Sequence, residues 1–251
     1  MDSVDPGQPP TQASSSGSKA AKSGVAETTR FLVLLFVLAL LLRSLIVAPF
    51  SIPSGSMLPR MMIGDYLFVA KWPYGYSRYS FPFGLIPING RIVSSAPERG
   101  DVVVFRAPAG DKDMVKRVIG VPGDIVAIDE RGLSINGEYA NYSAGDQALV
   151  RTLVEQTQQR EPTVYREGGV IAEHDLLRMP VPSPREFFGP IRVPEDMFLM
   201  LGDNRDNSAD SRYIGFVPRR NIVGLTSRVA ISFNPENFYL PRSGRYFDPL
   251  D

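Results

Sequence analysis

Between Phe31 and Phe50 the chain runs F-L-V-L-L-F-V-L-A-L-L-L-R-S-L-I-V-A-P-F, twenty residues interrupted by Arg43 and Ser44. A helix of that length, rising about 1.5 Å per residue, matches the roughly 30 Å hydrocarbon core of a bilayer. Residues 30–50 are therefore expected to form one transmembrane anchor. Arg43 lies seven residues before Phe50, about 10 Å along such a helix, so its side chain can snorkel to the headgroups. A buried core helix or a cleaved signal peptide would be the alternatives. The run starts late for a signal peptide, and its one small residue before a scissile bond, Ala48, precedes Pro49, whose tertiary amide cleaves poorly. Lys19, Lys22 and Arg30 precede the run and no basic residue follows it until Arg60, which orients the N-terminus to the cytoplasm and residues 51–251 outward. Residues 1–29, rich in Pro, Ser, Gly, Ala and Gln, read as a disordered cytoplasmic tail.

Charge and composition narrow the chemistry. Twenty-seven basic residues balance 27 acidic ones, so no global field favours nucleic acid as a partner. The chain has one histidine, His174, and no cysteine, which removes disulfide frameworks, thiolate zinc sites and histidine-rich metal centres. No metal or other cofactor is expected. A serine nucleophile in such a chain has either His174 or a base of another kind to rely on.

Past the anchor, Gly-Asp recurs before β-prone runs: Gly64-Asp65 before Y-L-F-V-A, Gly100-Asp101 before V-V-V-F, Gly123-Asp124 before I-V-A-I. These read as turns feeding strands. The stretch Asp129–Gly132 and then Asn136-Gly137 signal consecutive hairpins. With 22 prolines and no long amphipathic helix, the expected fold is mainly β. The polar run Gln147–Pro162 and the Pro-rich run Met179–Pro194 mark residues 125–194 as an inserted β-rich cap; residues 51–124 and 195–251 together are expected to form one catalytic β domain.

Three clusters could carry chemistry. In I-P-S-G-S-M-L-P (52–59), Pro53 and Gly55 frame Ser54 and Ser56, although turn chemistry alone explains such a cluster. Lys116 lies in M-V-K-R-V-I-G-V-P-G-D, where alternation places it with Val118 on one strand face. Desolvation there would lower its pKa from about 10.4 and free the amine to accept a proton; a solvated lysine at a strand edge would not serve. The third cluster, G-D-N-R-D-N-S-A-D-S-R (202–212), follows the apolar run M-F-L-M-L. It fails as a calcium loop, because counting from Asp203 puts Ser208 where glycine belongs and Ile214 where the bidentate glutamate belongs.

Together these segments, with I-G-D-Y (63–66), R-G-D-V-V-V-F (99–105) and K-R-V-I-G-V-P-G-D (116–124), stand in the order seen in the bacterial type I signal peptidases, and the chain resembles that family. The resemblance implies a signal-peptidase-like antiparallel β catalytic domain and a membrane-anchored Ser/Lys endopeptidase that removes signal peptides from exported preproteins after Ala-X-Ala. It implies Ser56 as nucleophile, Lys116 as general base, Ser54 with the Ser56 N–H as oxyanion hole, and Ser208 holding the lysine amine. Asp203, Asp210, Arg212 and Arg117 resemble the family's supporting ionic residues, and Ile52, Met57, Met61 and Val115 its substrate pockets. The partners implied are signal peptides and the lipid bilayer, at the bacterial cytoplasmic membrane. Arg60 departs from the family's usual threonine, and residues 125–195 match nothing in detail. A protease dedicated to one secretion or conjugation substrate, and a non-catalytic peptide-binding module, are the competing readings. Trp72, Tyr74, Tyr76, Tyr79, Phe81 and Phe83 form an aromatic set suited either to headgroups or to packing.

Overall fold

The structure, a computed structural model, describes residues 17–45, 47–80, 90–92, 95–146, 149–150, 153 and 162–250. Its first unit, Met1–Leu42, holds all but the last three residues of the helix α1 (Gly17–Leu45). The α1 side chains described are those of residues 25–41, and its apolar residues from Phe31 to Leu41 are exposed all round. No helix among the described residues is long and apolar enough to cross a membrane. The side chains of residues 42–47, in the second half of the expected span, lie outside those described.

The second unit, Arg43–Asp251, is mainly β, as expected. Its strands are β1 (Val47–Ser51), β2 (Asp65–Ala70), β3 (Val102–Arg106), β4 (Asp113–Gly120), β5 (Ile125–Asp129), β6 (Gly132–Ile135), β7 (Glu138–Tyr139), β8 (Asn141–Ala144), β9 (Thr163–Gly168), β10 (His174–Arg178), β11 (Phe188–Arg192), β12 (Met197–Leu201), β13 (Val217–Pro218), β14 (Ile222–Leu225), β15 (Val229–Asn234) and β16 (Leu240–Pro241), with the one-turn helix α2 (Ser211–Ile214) before β13. The large sheet runs β13-β12-β4-β3-β14-β2-β15-β16, with β1 also on β2; β10-β9-β8 and β11-β5-β6-β7 are smaller sheets. All named pairings are antiparallel.

The three Gly-Asp units share one local structure. Each glycine has φ near +90°, a conformation open to glycine at little cost. Each aspartate then accepts, through Oδ2, the backbone N–H three residues earlier: Met62 for Asp65, Glu98 for Asp101 and Val121 for Asp124. The side chain closes the turn that launches β2, β3 or β5. The hairpin signals also hold. Asp129 pairs with Gly132 between β5 and β6, and Asn136 and Gly137, both at positive φ, join β6 to β7.

The smaller sheets fall wholly within residues 125–192 and are not set apart from the large one. Val126, Leu133, Ile135 and Ile171 share a buried cluster with Ile119, Leu199 and Leu201 of β4 and β12. Val164, Leu177 and Leu153 pack with Leu58 and Met62, just beyond Ser56. Of the aromatic set, Tyr74 is buried and donates to Asp101 Oδ2 at 2.5 Å, so it serves packing, whereas Trp72 is exposed. Phe81 and Phe83 lie outside the described residues.

Candidate active site

Ser56 sits half-buried in the turn between β1 and β2, and Lys116 projects from β4. The two meet across sixty residues of sequence, with Lys116 Nζ 2.6 Å from Ser56 Oγ. From Val115 onward β4 is buried on both faces, because Val115 and Ile119 on one side and Val118 on the other each join a core cluster; Lys116 lies opposite Val103 and is 2% exposed. Its amine also donates to the Val115 carbonyl at 2.9 Å. Burial pushes the Lys116 pKa down to about 8, against Asp210 and Asp203, whose charges raise it. At pH 7 roughly one molecule in ten then carries the neutral amine, compared with roughly one in a few thousand for an ordinary lysine. Ser54 Oγ stands 3.4 Å from Ser56 Oγ on the exposed side.

Arg117, next along β4, turns its guanidinium to the loop after β12. It clasps Asp203 at 2.9 and 2.7 Å and donates to the Gly100 carbonyl at 2.9 Å. Burial alone would raise the Asp203 carboxyl, but the charge and hydrogen bonds of Arg117 hold it below the usual carboxylate range. Asp210 caps α2 by accepting the Arg212 N–H, holds the Arg212 guanidinium at 2.9 and 2.8 Å, and accepts the Gly202 N–H at 3.1 Å. The four expected supporting residues thus form two buried ion pairs bracketing the loop. Ser208 differs from expectation. It is buried beside Gly202 with no hydrogen-bond partner for Oγ, because the Lys116 amine is directed to Ser56 and Val115. A Cβ on Gly202 would overlap both Ser208 Oγ and the Ser56 carbonyl oxygen, so glycine is what lets this loop approach the serine turn.

A cleft of about 70 Å³ opens beside Ser56 and Lys116, lined by Ile52, Met57 and Val115 and also by Phe50, Asp113 and Met114. Met61 does not line it; it packs behind, in the cluster of Leu67, Val69 and Val104. A larger hollow of about 470 Å³ lies between the smaller sheets, bordered by Leu133, Tyr142, Phe187 and Arg205, and includes neither member of the dyad.

The family model described as signal peptidase, peptidase S26, matches residues 25–231. The chain belongs to that family. It is 37% identical over 233 residues to the signal peptidase I of Pseudomonas aeruginosa, covering 86% of this chain and 75% of the relative. The signal peptidase I of Rickettsia typhi is 36% identical over 74% of this chain and 73% of its own. That of Buchnera aphidicola is 32% identical over 79% and 72% respectively. Family membership makes the chain a peptidase, and the geometry above bears on how it works.

Two features near the dyad were not anticipated from sequence. Asn204 donates its backbone N–H to the Ser56 carbonyl at 3.1 Å and its side-chain Nδ2 to the Gly55 carbonyl at 3.0 Å, fastening the serine turn to the loop. Its place in a loop otherwise dense in charges was the available signal. Behind Asp203, Glu167 receives Arg205 at 2.9 and 2.5 Å, Tyr142 at 2.7 Å and lies 3.2 Å from His174 Nε2. Burial would raise Glu167, yet Arg205 and His174 hold it well below the usual carboxylate range. His174 is fully buried, its Nδ1 2.9 Å from the Ala172 carbonyl. Both ring nitrogens are engaged away from Ser56, so the only histidine belongs to this buried network.

Proposed function

We propose that the protein is a membrane-anchored serine endopeptidase that removes N-terminal signal peptides from exported preproteins, cleaving after small residues by a Ser56/Lys116 dyad. The observation carrying this reading is the 2.6 Å approach of a buried lysine amine to Ser56 Oγ, with burial holding that amine near a usable pKa. The names of the relatives supply the substrate class.

In this mechanism neutral Lys116 accepts the Ser56 hydroxyl proton as Oγ attacks the scissile carbonyl. Ser54 Oγ and the Ser56 backbone N–H donate to the oxyanion, each such donor worth about 3–4 kcal/mol in the transition state. The Lys116 ammonium then protonates the leaving amine, which departs with the mature chain and leaves the signal peptide esterified to Ser56. Water, deprotonated by the same amine, hydrolyses the ester and regenerates the serine. Asp203, Arg117, Asp210 and Arg212 hold the loop against the dyad. The 70 Å³ cleft, room for about two water molecules, suits a small side chain before the cleaved bond. An extended peptide would reach it beside β1 and the start of β4 by strand addition. The all-round apolar, exposed surface of α1 from Phe31 to Leu41 supports an anchor in lipid, with the N-terminus cytoplasmic and residues 51–251 outside.

Full-length protein in detergent, given a preprotein with an Ala-X-Ala site, is expected to release one new N-terminus directly after the small residue, read by mass spectrometry, and the Ser56→Ala variant is expected to release none. Cleavage after large residues, or cleavage that survives Ser56→Ala, would refute the proposal. Failure on every general preprotein would redirect it to a dedicated substrate.

A further inference from the structure

The turn that carries Ser56 ends at Arg60, and this residue reaches out of the large sheet. Its Nε donates to Asp175 Oδ2 at 2.8 Å and its Nη2 lies 2.5 Å from the same oxygen. Asp175 belongs to β10, in the segment that the sequence marked as an insertion, and its side chain is 1% exposed, against 21% for Arg60. A buried carboxylate is tolerated when it is paired, and the second cation available here, Arg166 on the adjacent β9, stands farther off at 3.6 Å. The Arg60 carbonyl is taken from the other side by Arg245 Nη2 at 2.9 Å, which also holds Asp65.

Two residues further along β10, Leu177 pairs with the loop that supports the lysine. Its N–H donates to the Asp203 carbonyl at 2.8 Å and its carbonyl accepts the Arg205 N–H at 3.0 Å. The Leu177 side chain packs with Leu58 and Met62 of the serine turn. One short strand thus grips the serine turn through Asp175 and the Asp203 loop through Leu177.

We propose that Arg60 and Asp175 are positioning residues, whose ion pair fixes the serine turn on β10 in register with the loop behind Lys116. The inserted sheet then acts as a template for the dyad. This rests on Ser56 being the nucleophile. Neither residue lines the cleft, so loss of the pair should act through the geometry of Ser56 rather than through substrate binding.

The test compares Arg60→Ala, Asp175→Asn, the double variant and Arg60→Lys, as full-length protein in detergent. A displacement of the nucleophile by about 1 Å can cost on the order of 100-fold in rate. The expected result is a fall in kcat of about tenfold to a hundredfold with KM within about threefold, partial recovery with Arg60→Lys, and a double variant no worse than the worse single one. A kcat within about twofold of wild type, a change confined to KM, or losses that multiply in the double variant would overturn the proposal. A second readout does not depend on turnover. The chain has no cysteine, so in a Ser56→Cys background the introduced thiol is the sole one, and its alkylation by iodoacetamide at pH 7 should slow when Arg60→Ala or Arg60→Gln is added. An unchanged alkylation rate in folded protein would also overturn it. If wild type cleaves no general preprotein, the substrate reading passes to a dedicated one, while the thiol rates still decide whether Arg60 positions the turn.

Discussion

Lys116→Ala is expected to lower kcat/KM for preprotein cleavage by at least about 10⁴-fold, the scale on which removal of one member of a nucleophile–base pair acts. The amine is 2.6 Å from Ser56 Oγ, and its other hydrogen bond is to a backbone carbonyl that cannot take up a proton. His174 cannot substitute, since Glu167 and the Ala172 carbonyl engage its ring. Folding should survive, because removing a buried amine also removes its desolvation cost. Lys116→Arg should be equally inactive, since a guanidinium stays protonated. Steady-state kinetics beside a thermal melt check both statements, and retention of a tenth of the wild-type rate would remove Lys116 as base.

Arg117→Met should instead act on stability, at about 3–5 kcal/mol, the cost of stranding one member of a buried ion pair. Asp203 is buried with Arg117 as its hydrogen-bonded cation, and the Gly100 carbonyl also loses its donor. The pH dependence has a definite sign. The Asp203 pKa is depressed in the native protein, so its contribution is present above the unfolded carboxylate pKa near 4 and is lost as pH falls through the lower native value. The deficit of Arg117→Met is therefore full at pH 7 and shrinks below about pH 4. Denaturant unfolding at pH 7 and pH 3.5 reads it, and an equal deficit at both would point to lost packing.

Much of this fold was legible in the chain because its signals are local. Gly64-Asp65, Gly100-Asp101 and Gly123-Asp124 each combine a residue free to adopt positive φ with a carboxylate that reaches back three residues, and each launches a strand. Asn136-Gly137 announced its hairpin for the same reason. At the site, Ser56 and Lys116 were found through ordered motifs, and the structure brings them together. What escaped was non-local. Alternation points to one apolar face for β4, whereas core clusters form on both sides of the sheet there, taking up Val115 and Ile119 on one face and Val118 on the other. The contact expected between Ser208 and Lys116 is replaced by Lys116 donating to Val115. The family resemblance implies a pocket role for Met61, yet the turn points it into the core. Asn204 and the Arg60–Asp175 pair depend on which loops the sheet brings together, 115 residues apart in the second case, and no spacing rule foretells that.

The most direct test of a buried Lys116 with a lowered pKa is the pH profile of kcat/KM for a signal-peptide substrate with wild-type enzyme. This quantity reports groups of the free enzyme, and only the unprotonated amine accepts the serine proton. The rate should therefore rise with pH through a single limb centred at about 8, the value to which burial pushes Lys116, and level off above it. A limb centred above 10 would describe a solvated lysine and contradict a desolvated Lys116 acting as base, and a flat profile across pH 6–10 would remove Lys116 from the proton transfer altogether.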